Sequence, residues 1–244
     1  MTRPLRAILI GVPTPGPPTP PFAAATPMVR RMGNFLRPRF NPDSIVSLGP
    51  STTKQDVVNA FAKMANTIRN GDLLVVMFAG HGYEATASNN FEAWALANGE
   101  KFTDKDLATA MLPFAGTDNV VINDCCFGGG MFATNTGSPP PSPALIQAKL
   151  AELSTSFATR LLNQFVLLGQ PNFPLTCISA AGAQSFVFAS VASELIEDTI
   201  GAATDDMSYA RLNYLFQNKA FTGRTFQIEA RPASNMQLKV IGVL

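Results

Sequence analysis

One histidine and a pair of adjacent cysteines are the residues of this chain best suited to covalent chemistry. His81 is the only histidine, and Cys125 and Cys126 are two of the three cysteines. A thiol attacks as its thiolate, and at its usual pKa of about 8.5 little of it is ionised at neutral pH. A neighbouring imidazole can take the thiol proton and later give it to a leaving amine. His81 and Cys126 could therefore form a dyad that hydrolyses acyl bonds.

Both residues come directly after segments that predict buried strands. Segment 72–78, apolar from Leu73 onward, leads into His81, and segment 119–123, with the apolar centre 120–122, leads into Cys126. Because sites in parallel α/β sheets lie beyond the carboxyl ends of the strands, the two residues can meet although 45 positions separate them. The backbone N–H groups of Gly82 and Cys126 would then be placed to bind an oxyanion.

The rest of the chain alternates predicted strands and helices. Thr53 with Asp56, and Thr103 with Asp106, have the spacing of capping boxes that begin helices. Further strands are predicted at 7–12, 45–48, 175–180, 226–230 and 238–243. Helices are predicted at 26–36, from Thr53 to Asn70-Gly71, from Thr103 through Leu112, at 145–165 and from Asp205 or Asp206 through Phe216. This alternation predicts an α/β fold with a mostly parallel central sheet flanked by helices.

Two segments are too rich in proline for regular structure. Residues 13–27 contain seven prolines and predict an extended surface loop after the first strand. Residues 134–143 are polar and proline-rich, which is typical of a linker. We therefore expect a single domain, 1–244, with a larger catalytic part (1–133), this linker and a smaller part (144–244).

The two motifs together resemble the catalytic pair of the caspase and metacaspase superfamily. The family pattern is a strand followed by Gly-His-Gly, then a second strand followed by Asp-x-Cys, and here these are Gly80-His81-Gly82 and Asp124-Cys125-Cys126. Residues 5–130 fit the family in order and spacing, including the opening Ala-Ile-Leu-Ile-Gly strand. The resemblance implies a caspase-like three-layer sandwich and a cysteine endopeptidase in which His81 is the general base and Cys126 the nucleophile.

The resemblance also implies residues that bind substrate. In metacaspases the aspartate at the position of Asp124 lines a pocket for Arg or Lys before the cut, and a carboxylate favours such a cation by charge-assisted hydrogen bonding. Ala79 lies two positions before the histidine, while Ser179 and Ala180 belong to a later strand similar to the one along which family members lay their substrate. Cys125, by strand alternation, should lie on the opposite face in the core.

The chain departs from the family pattern at several positions. Ala79 replaces the usual serine, and Phe127-Gly128 replaces the usual His-Ser after the nucleophile. The aspartate cluster that binds calcium in the family is not evident, since Ca²⁺ prefers several converging carboxylate oxygens and the corresponding segment offers only Asn89, Asn90 and Glu92. We therefore expect no metal and no cofactor.

Other interpretations of these residues remain open. The departures from the pattern favour, as an alternative, a catalytically inactive caspase-like binding or scaffold domain. A lone histidine and adjacent cysteines are also common in protein cores, and they lack the spacing of a metal site. Family members are often cut in the linker, for which Lys149 and Arg160 are candidate positions. A simple solvated loop explains that segment equally well.

Composition limits the partners. Eighteen Lys and Arg against seventeen Asp and Glu give a net charge of +1, which predicts no binding to nucleic acid. The apolar run after Arg6 is too short for a signal peptide, and no run approaches the roughly 20 apolar residues of a membrane span. We expect a cytoplasmic monomer that acts on protein or peptide substrates.

Overall fold

A computed structural model describes residues 4–17, 19, 21–38, 44–83, 92–126, 157–181 and 225–231, with the backbone alone at 126, 157–160, 162, 178–181 and 225–231. The strands are β1 (Leu5–Val12), β2 (Ile45–Leu48), β3 (Leu73–Tyr83), β4 (Ala93–Ala95), β5 (Lys101–Thr103), β6 (Asp118–Cys126), β7 (Leu175–Ala181) and β8 (Thr225–Arg231). The helices are α1 (Ala25–Leu36), α2 (Lys54–Ala65), α3 (Asp104–Met111) and α4 (Phe157–Leu167), with short 3₁₀ turns at Ala97–Gly99 and Leu112–Phe114.

The central sheet has the strand order β2-β1-β3-β6-β7-β8. The first five strands of this order are parallel, and β8 runs antiparallel to β7. The chain places β2 on one side of β1 and β3 on the other, so the direction of strand addition reverses between β1 and β3. In open α/β sheets such a reversal leaves a crevice at the carboxyl ends of the strands, which is where ligands bind.

Helices cover both faces of this sheet, which explains why its strands are continuous apolar runs. On one face, here called the core face, strand residues such as Ile10, Phe78 and Val121 join a cluster with side chains of α2, α3 and α4. On the other face, called the α1 face, α1 packs so close to β1 that a Cβ on Gly11 would lie 3.0 Å from Val29 Cγ2. The predicted α/β class with a mostly parallel, helix-flanked sheet is thus confirmed.

Both predicted capping boxes are present. The hydroxyls of Thr53 and Thr103 accept hydrogen bonds from the backbone of Asp56 and Asp106, whose carboxylates bond back to the threonines. The Lys54 Nζ lies 2.7 Å from Asp106 Oδ2, which links the first turns of α2 and α3. Burial acts to raise the pKa of Asp106, but hydrogen bonds from Lys54 and Thr103 outweigh it and hold that pKa below its usual value.

Several predicted boundaries were wrong. Helix α1 begins at Ala25 instead of Thr26-Pro27. Its cap residue Ala24 has no polar side-chain group, and the Ala25 N–H donates instead to the backbone carbonyl of Phe22. Helix α2 ends at Ala65, before the predicted Asn70-Gly71, since the following turn satisfies the Met64 carbonyl through the backbone and hydroxyl of Thr67.

The loop after β1 is folded back instead of extended. The Phe22 N–H donates to the Pro13 carbonyl over 2.6 Å, which brings the two ends of the proline-rich loop together. The predicted linker 134–143, the strand 238–243 and the helix from Asp205 or Asp206 through Phe216 fall outside the described residues. Of the predicted helix 145–165, the structure describes the part within α4.

Strands β3 and β6 are longer than predicted. His81 and Cys126 were expected just after their strands, but both belong to them, because β3 continues to Tyr83 and β6 to Cys126. The extension of β3 is due to β4, which pairs antiparallel with Gly82 and Tyr83. Strands β4 and β5 form a hairpin that was not predicted, although its Asn98-Gly99 turn, with φ of 60° and 74°, is the usual sequence signal for one.

Candidate functional site

His81 and Cys126 are register partners on neighbouring parallel strands. They form the last pair of the β3–β6 ladder, at its carboxyl end. Neighbouring strands are about 4.8 Å apart, and residues in the same register lie on the same face of a sheet. The fold therefore brings together, side by side, the two residues that the sequence singled out 45 positions apart.

Strand alternation separates Cys126 from its neighbour Cys125. Cys125 is buried in the cluster on the core face, as predicted, and its Sγ lies 3.2 Å from Asn123 Oδ1. Cys126, one position on, lies on the α1 face together with His81. Cys177 is likewise a buried residue of the core face. Of the three cysteines, Cys126 is the one in register with the histidine.

His81 is half-buried, its Nε2 is itself buried, and a neighbouring ring holds the imidazole in place. The ring of Phe22 packs edge-on against it, with centroids 5.9 Å apart and an interplanar angle of 76°. Phe22 belongs to the folded loop after β1, whose closing hydrogen bond fixes its position. This contact was not predicted, because it depends on how the proline-rich loop folds back.

Gly80 allows β3 to pass close to β1 just before the histidine. A Cβ at this position would lie 2.8 Å from the Val12 carbonyl oxygen and 2.8 Å from Phe78 Cζ. Real Cβ atoms do not tolerate such distances, so a larger residue would push the end of β3 away from β1. The glycine before His81 is therefore explained by packing, whatever the chemistry of the site.

The other predicted site residues occupy neighbouring register positions. Asp124 and Ala79 are partners one step below Cys126 and His81 on the α1 face, and both are 0% exposed. Ser179 is the partner of Asn123, which places it on the core face, while Ala180 follows it on the α1 face. The substrate-binding roles assigned to these four residues stay predictions.

Gly82, the predicted oxyanion donor, lies opposite Trp94 in the antiparallel β3–β4 pair. Tyr83 follows it at the end of β3, half-buried, with Lys101 Nζ 4.5 Å from the centre of its ring. A cation over an aromatic face in this way is stabilising, and it fixes β5 beside the end of β3. The β4–β5 hairpin is thus part of the surroundings of the site.

Trp94 and Asn123 are site-supporting residues that sequence reasoning missed. The indole Nε1–H donates to Asn123 Oδ1 over 2.9 Å, and both side chains are buried. A single tryptophan beside an Asn-Gly turn was an available signal for a buried hairpin, but the contact joins residues 29 positions apart and could not be predicted locally.

Neither a metal site nor a membrane span is found in the part of the chain that the structure describes. No group of three or more His, Cys, Asp or Glu residues is arranged there to hold a metal ion. No helix among these residues is long and apolar enough to cross a bilayer.

Comparison with known proteins bears on the fold alone. No protein-family model and no curated protein matches the chain. Among solved structures, the chain is similar to the crystal structure of protein GSU0716 from Geobacter sulfurreducens, with 16% sequence identity, coverage of 97% of both chains and a TM-score of 0.62. At this identity the likeness supports the α/β sandwich and assigns no chemistry.

Proposed function

We propose that the protein is a cysteine endopeptidase of the caspase and metacaspase type, in which Cys126 and His81 form the catalytic dyad. The observation that carries the proposal is the register of the β3–β6 ladder, whose last pair is His81 and Cys126. This pair lies at the carboxyl edge of a parallel sheet, next to the reversal of strand order between β1 and β3.

The proposed reaction uses the residues in two steps. The Cys126 thiol gives its proton to His81, and the thiolate sulfur bonds to the carbonyl carbon of the substrate. His81 then protonates the leaving amine as the C–N bond breaks. Water attacks the resulting thioester, its proton passes to His81 and then to the departing sulfur, and the carboxylic acid is released. The backbone N–H groups of Gly82 and Cys126 are the proposed donors to the oxyanion.

The proposed preference is for Arg or Lys before the cut. Asp124 lies on the same face as the dyad, two residues before Cys126. Since its carboxylate is fully buried, a cation that reached it would form a charge-assisted hydrogen bond away from solvent, where such bonds are strongest. We further propose a monomer that acts without a cofactor on protein or peptide substrates in the cytoplasm.

The test is hydrolysis of fluorogenic peptides ending in Arg, Lys or Asp. The intact protein should cleave the Arg and Lys peptides, and Cys126→Ala should abolish cleavage. Cys125→Ala is the matched control, because it removes the adjacent thiol from the core face, and it should keep the activity of the molecules that fold. The proposal is overturned if the intact protein cleaves none of the peptides and its Cys126 does not react with a thiol-directed electrophile.

One observation favours a second candidate, an inactive caspase-like binding or scaffold domain. Of the four residues expected to bind substrate, Ala79 and Asp124 are 0% exposed, so neither offers surface to a peptide unless the site opens. Labelling of Cys126 without cleavage of any peptide would favour this candidate. Full biological function in the Cys126→Ala variant would establish it.

A further inference from the structure

We infer that Trp94 is a positioning residue that holds the carboxyl ends of β3 and β6 in the alignment that pairs His81 with Cys126. The inference rests on the proposed function, since it concerns the same dyad. Trp94 itself lies on the opposite face of the sheet from His81, so it would act through the strands and not on the substrate.

Trp94 is attached to β3 through its backbone. It is the register partner of Gly82, the residue directly after His81, and Ala93 pairs with Tyr83. The hairpin partner of Trp94 is Phe102 on β5, which lies further from β3. The β4–β5 hairpin is therefore joined to the sheet at the end of β3 that carries the histidine.

The same residue reaches β6 through its side chain. The Nε1–H donates to Asn123 Oδ1 over 2.9 Å, and Asn123 lies three positions before Cys126 in β6. Asn123 is the partner of Phe78 on the core face, and the indole stacks on Phe78 with centroids 4.8 Å apart and planes 6° apart. One side chain thus spans the strand that bears the histidine and bonds to the strand that bears the cysteine.

The position of this hydrogen bond along β6 is informative. The described ladder between β6 and β7 ends at the pair Asn123 and Ser179, whereas the ladder between β6 and β3 continues to Cys126. Beyond Asn123, the described pairing of β6 is with β3 on one side. The Trp94 bond therefore holds β6 at the last residue that is paired on both sides.

The indole has little freedom to move away from Asn123. It is 1% exposed, and it is stacked between Phe78 and Phe102, whose centroids lie 4.8 and 5.6 Å from its own. A buried N–H donor that loses its acceptor is costly, so the bond favours the one strand alignment in which it forms. In that alignment His81 and Cys126 are partners.

The test measures the rate at which iodoacetamide alkylates Cys126 as a function of pH. Peptide mass spectrometry gives this rate at values from about pH 5 to about pH 9, the range in which thiols titrate. Trp94→Phe keeps an aromatic ring but removes the donor. If the dyad forms, Cys126 of the intact protein should react at a pH well below that of a free thiol. In Trp94→Phe the pH at which the alkylation rate is half-maximal should rise by about one pH unit, because the imidazolium of His81 is then less well placed to stabilise the Cys126 thiolate. For a cleaved peptide, kcat should fall about 10- to 100-fold with little change in KM.

The matched control is Phe61→Leu. Phe61 lies on α2 in the same core cluster and packs against Phe102 and Phe114, so its loss should lower stability without moving the strand ends. Its alkylation profile should be that of the intact protein. The combination of Trp94→Phe with Asn123→Leu should shift the midpoint no further than Asn123→Leu alone, because that single change already removes the bond from Trp94.

The single tryptophan gives a direct check of the bond. Its indole N–H resonance should exchange slowly in the intact protein and quickly in Asn123→Leu. A Trp94→Phe profile identical to that of the intact protein overturns the inference, and an ordinary thiol profile in the intact protein overturns both the inference and the dyad. A low midpoint that rises in Trp94→Phe, with no peptide cleaved, sustains the inference and leaves the peptidase proposal as the one that fails.

Discussion

Strand β6 contains two buried asparagines, Asn119 near its amino end and Asn123 near its carboxyl end, and they are embedded differently. Asn119 Nδ2 donates to the backbone carbonyls of Phe114, Thr117 and Pro174, and its Oδ1 accepts from Thr117. Asn123 Oδ1 accepts from Trp94 and Cys125. Asn119 is thus fixed mainly by hydrogen bonds to backbone, while Asn123 is fixed by two side chains, that of Cys125 in the same strand and that of Trp94 from the β4–β5 hairpin.

This difference suggests separate roles for the two ends of the sheet, if the proposed function is right: stability at the amino end and catalysis at the carboxyl end. Hydrogen bonds to backbone atoms hold β6 in place whatever the surrounding side chains are. A bond between two side chains can align a site without fixing every residue around it, and the half-buried His81 lies at that end. We therefore expect substitutions at the amino end to lower stability, and substitutions at the carboxyl end that remove or move His81 or Cys126 to lower activity.

The largest expected effect is at the carboxyl end. His81→Ala should lower kcat/KM by about 10² to 10⁴-fold, since it removes the proposed general base. The urea unfolding midpoint should change little, because the half-buried ring gives up an edge contact with Phe22 worth about 1 kcal/mol. A drop in activity explained entirely by unfolded protein would remove the distinction between the two ends.

The next effect is at the amino end. Asn119→Ala removes hydrogen bonds to three backbone carbonyls and should lower the free energy of unfolding by about 2–4 kcal/mol. Activity per folded molecule should be retained. Asn59→Ala, at an exposed position of α2, is the control and should change stability by less than about 0.5 kcal/mol. Urea denaturation gives the free energies of unfolding. An equal loss of stability in Asn119→Ala and Asn59→Ala would contradict the stabilising role of the Asn119 hydrogen bonds.

Two glycines allow the same comparison with a smaller change. Gly80→Ala should cost about 1–3 kcal/mol and also lower activity, because its Cβ would meet the Val12 carbonyl and shift the end of β3. Gly116→Ala, near the amino end, meets the end of the exposed Asn70 side chain, which can swing away. Thermal unfolding and peptide hydrolysis should separate them, and a fully active Gly80→Ala variant would show that the end of β3 can move without harm to the site.

The sequence was sufficient for elements with local signals. The capping boxes at Thr53 and Thr103 could be predicted because each involves residues only three positions apart. The buried strands could be predicted because a continuous apolar run is typical of a strand covered on both faces. The end of α2 was predicted wrongly, since it is set by the turn at Thr67 and not by the Gly71 that follows.

Features that depend on distant contacts were not available from the sequence. The two candidate catalytic residues were proposed from their type, flanking glycines and family resemblance, but their register follows from the ladder between β3 and β6. The packing of Phe22 on His81 depends on how the proline-rich loop folds. The hydrogen bond from Trp94 to Asn123 depends on the β4–β5 hairpin, which lies between β3 and β6 along the chain. Local patterns therefore predicted the helices and strands better than the contacts between them.

The smallest expected effect concerns Asp106, whose capping box follows β5 and so anchors the hairpin that carries Trp94. Its folded pKa lies below the usual 3.8, so its contribution to stability is present above that pH and is lost as the pH falls through the lower, folded value. Urea midpoints measured from about pH 6 to about pH 2.5 should fall less steeply for Asp106→Asn than for the intact protein. Because the carboxylate is partly exposed, the difference should be about 0.5 kcal/mol or less, and salt should reduce it.

The control for this experiment is Asp56→Asn. Asp56 has an equivalent capping box, but it is fully exposed, and its pKa is held below the usual value by hydrogen bonds from Thr53 instead of by a lysine. Its pH dependence should be weaker and less sensitive to salt. If Asp106→Asn and Asp56→Asn respond alike, the Lys54 bridge adds nothing to the cap. The stability of the β4–β5 hairpin would then depend on the aromatic stack around Trp94. The carboxyl ends of β3 and β6 would in that case be held by these core contacts, without help from the capping box.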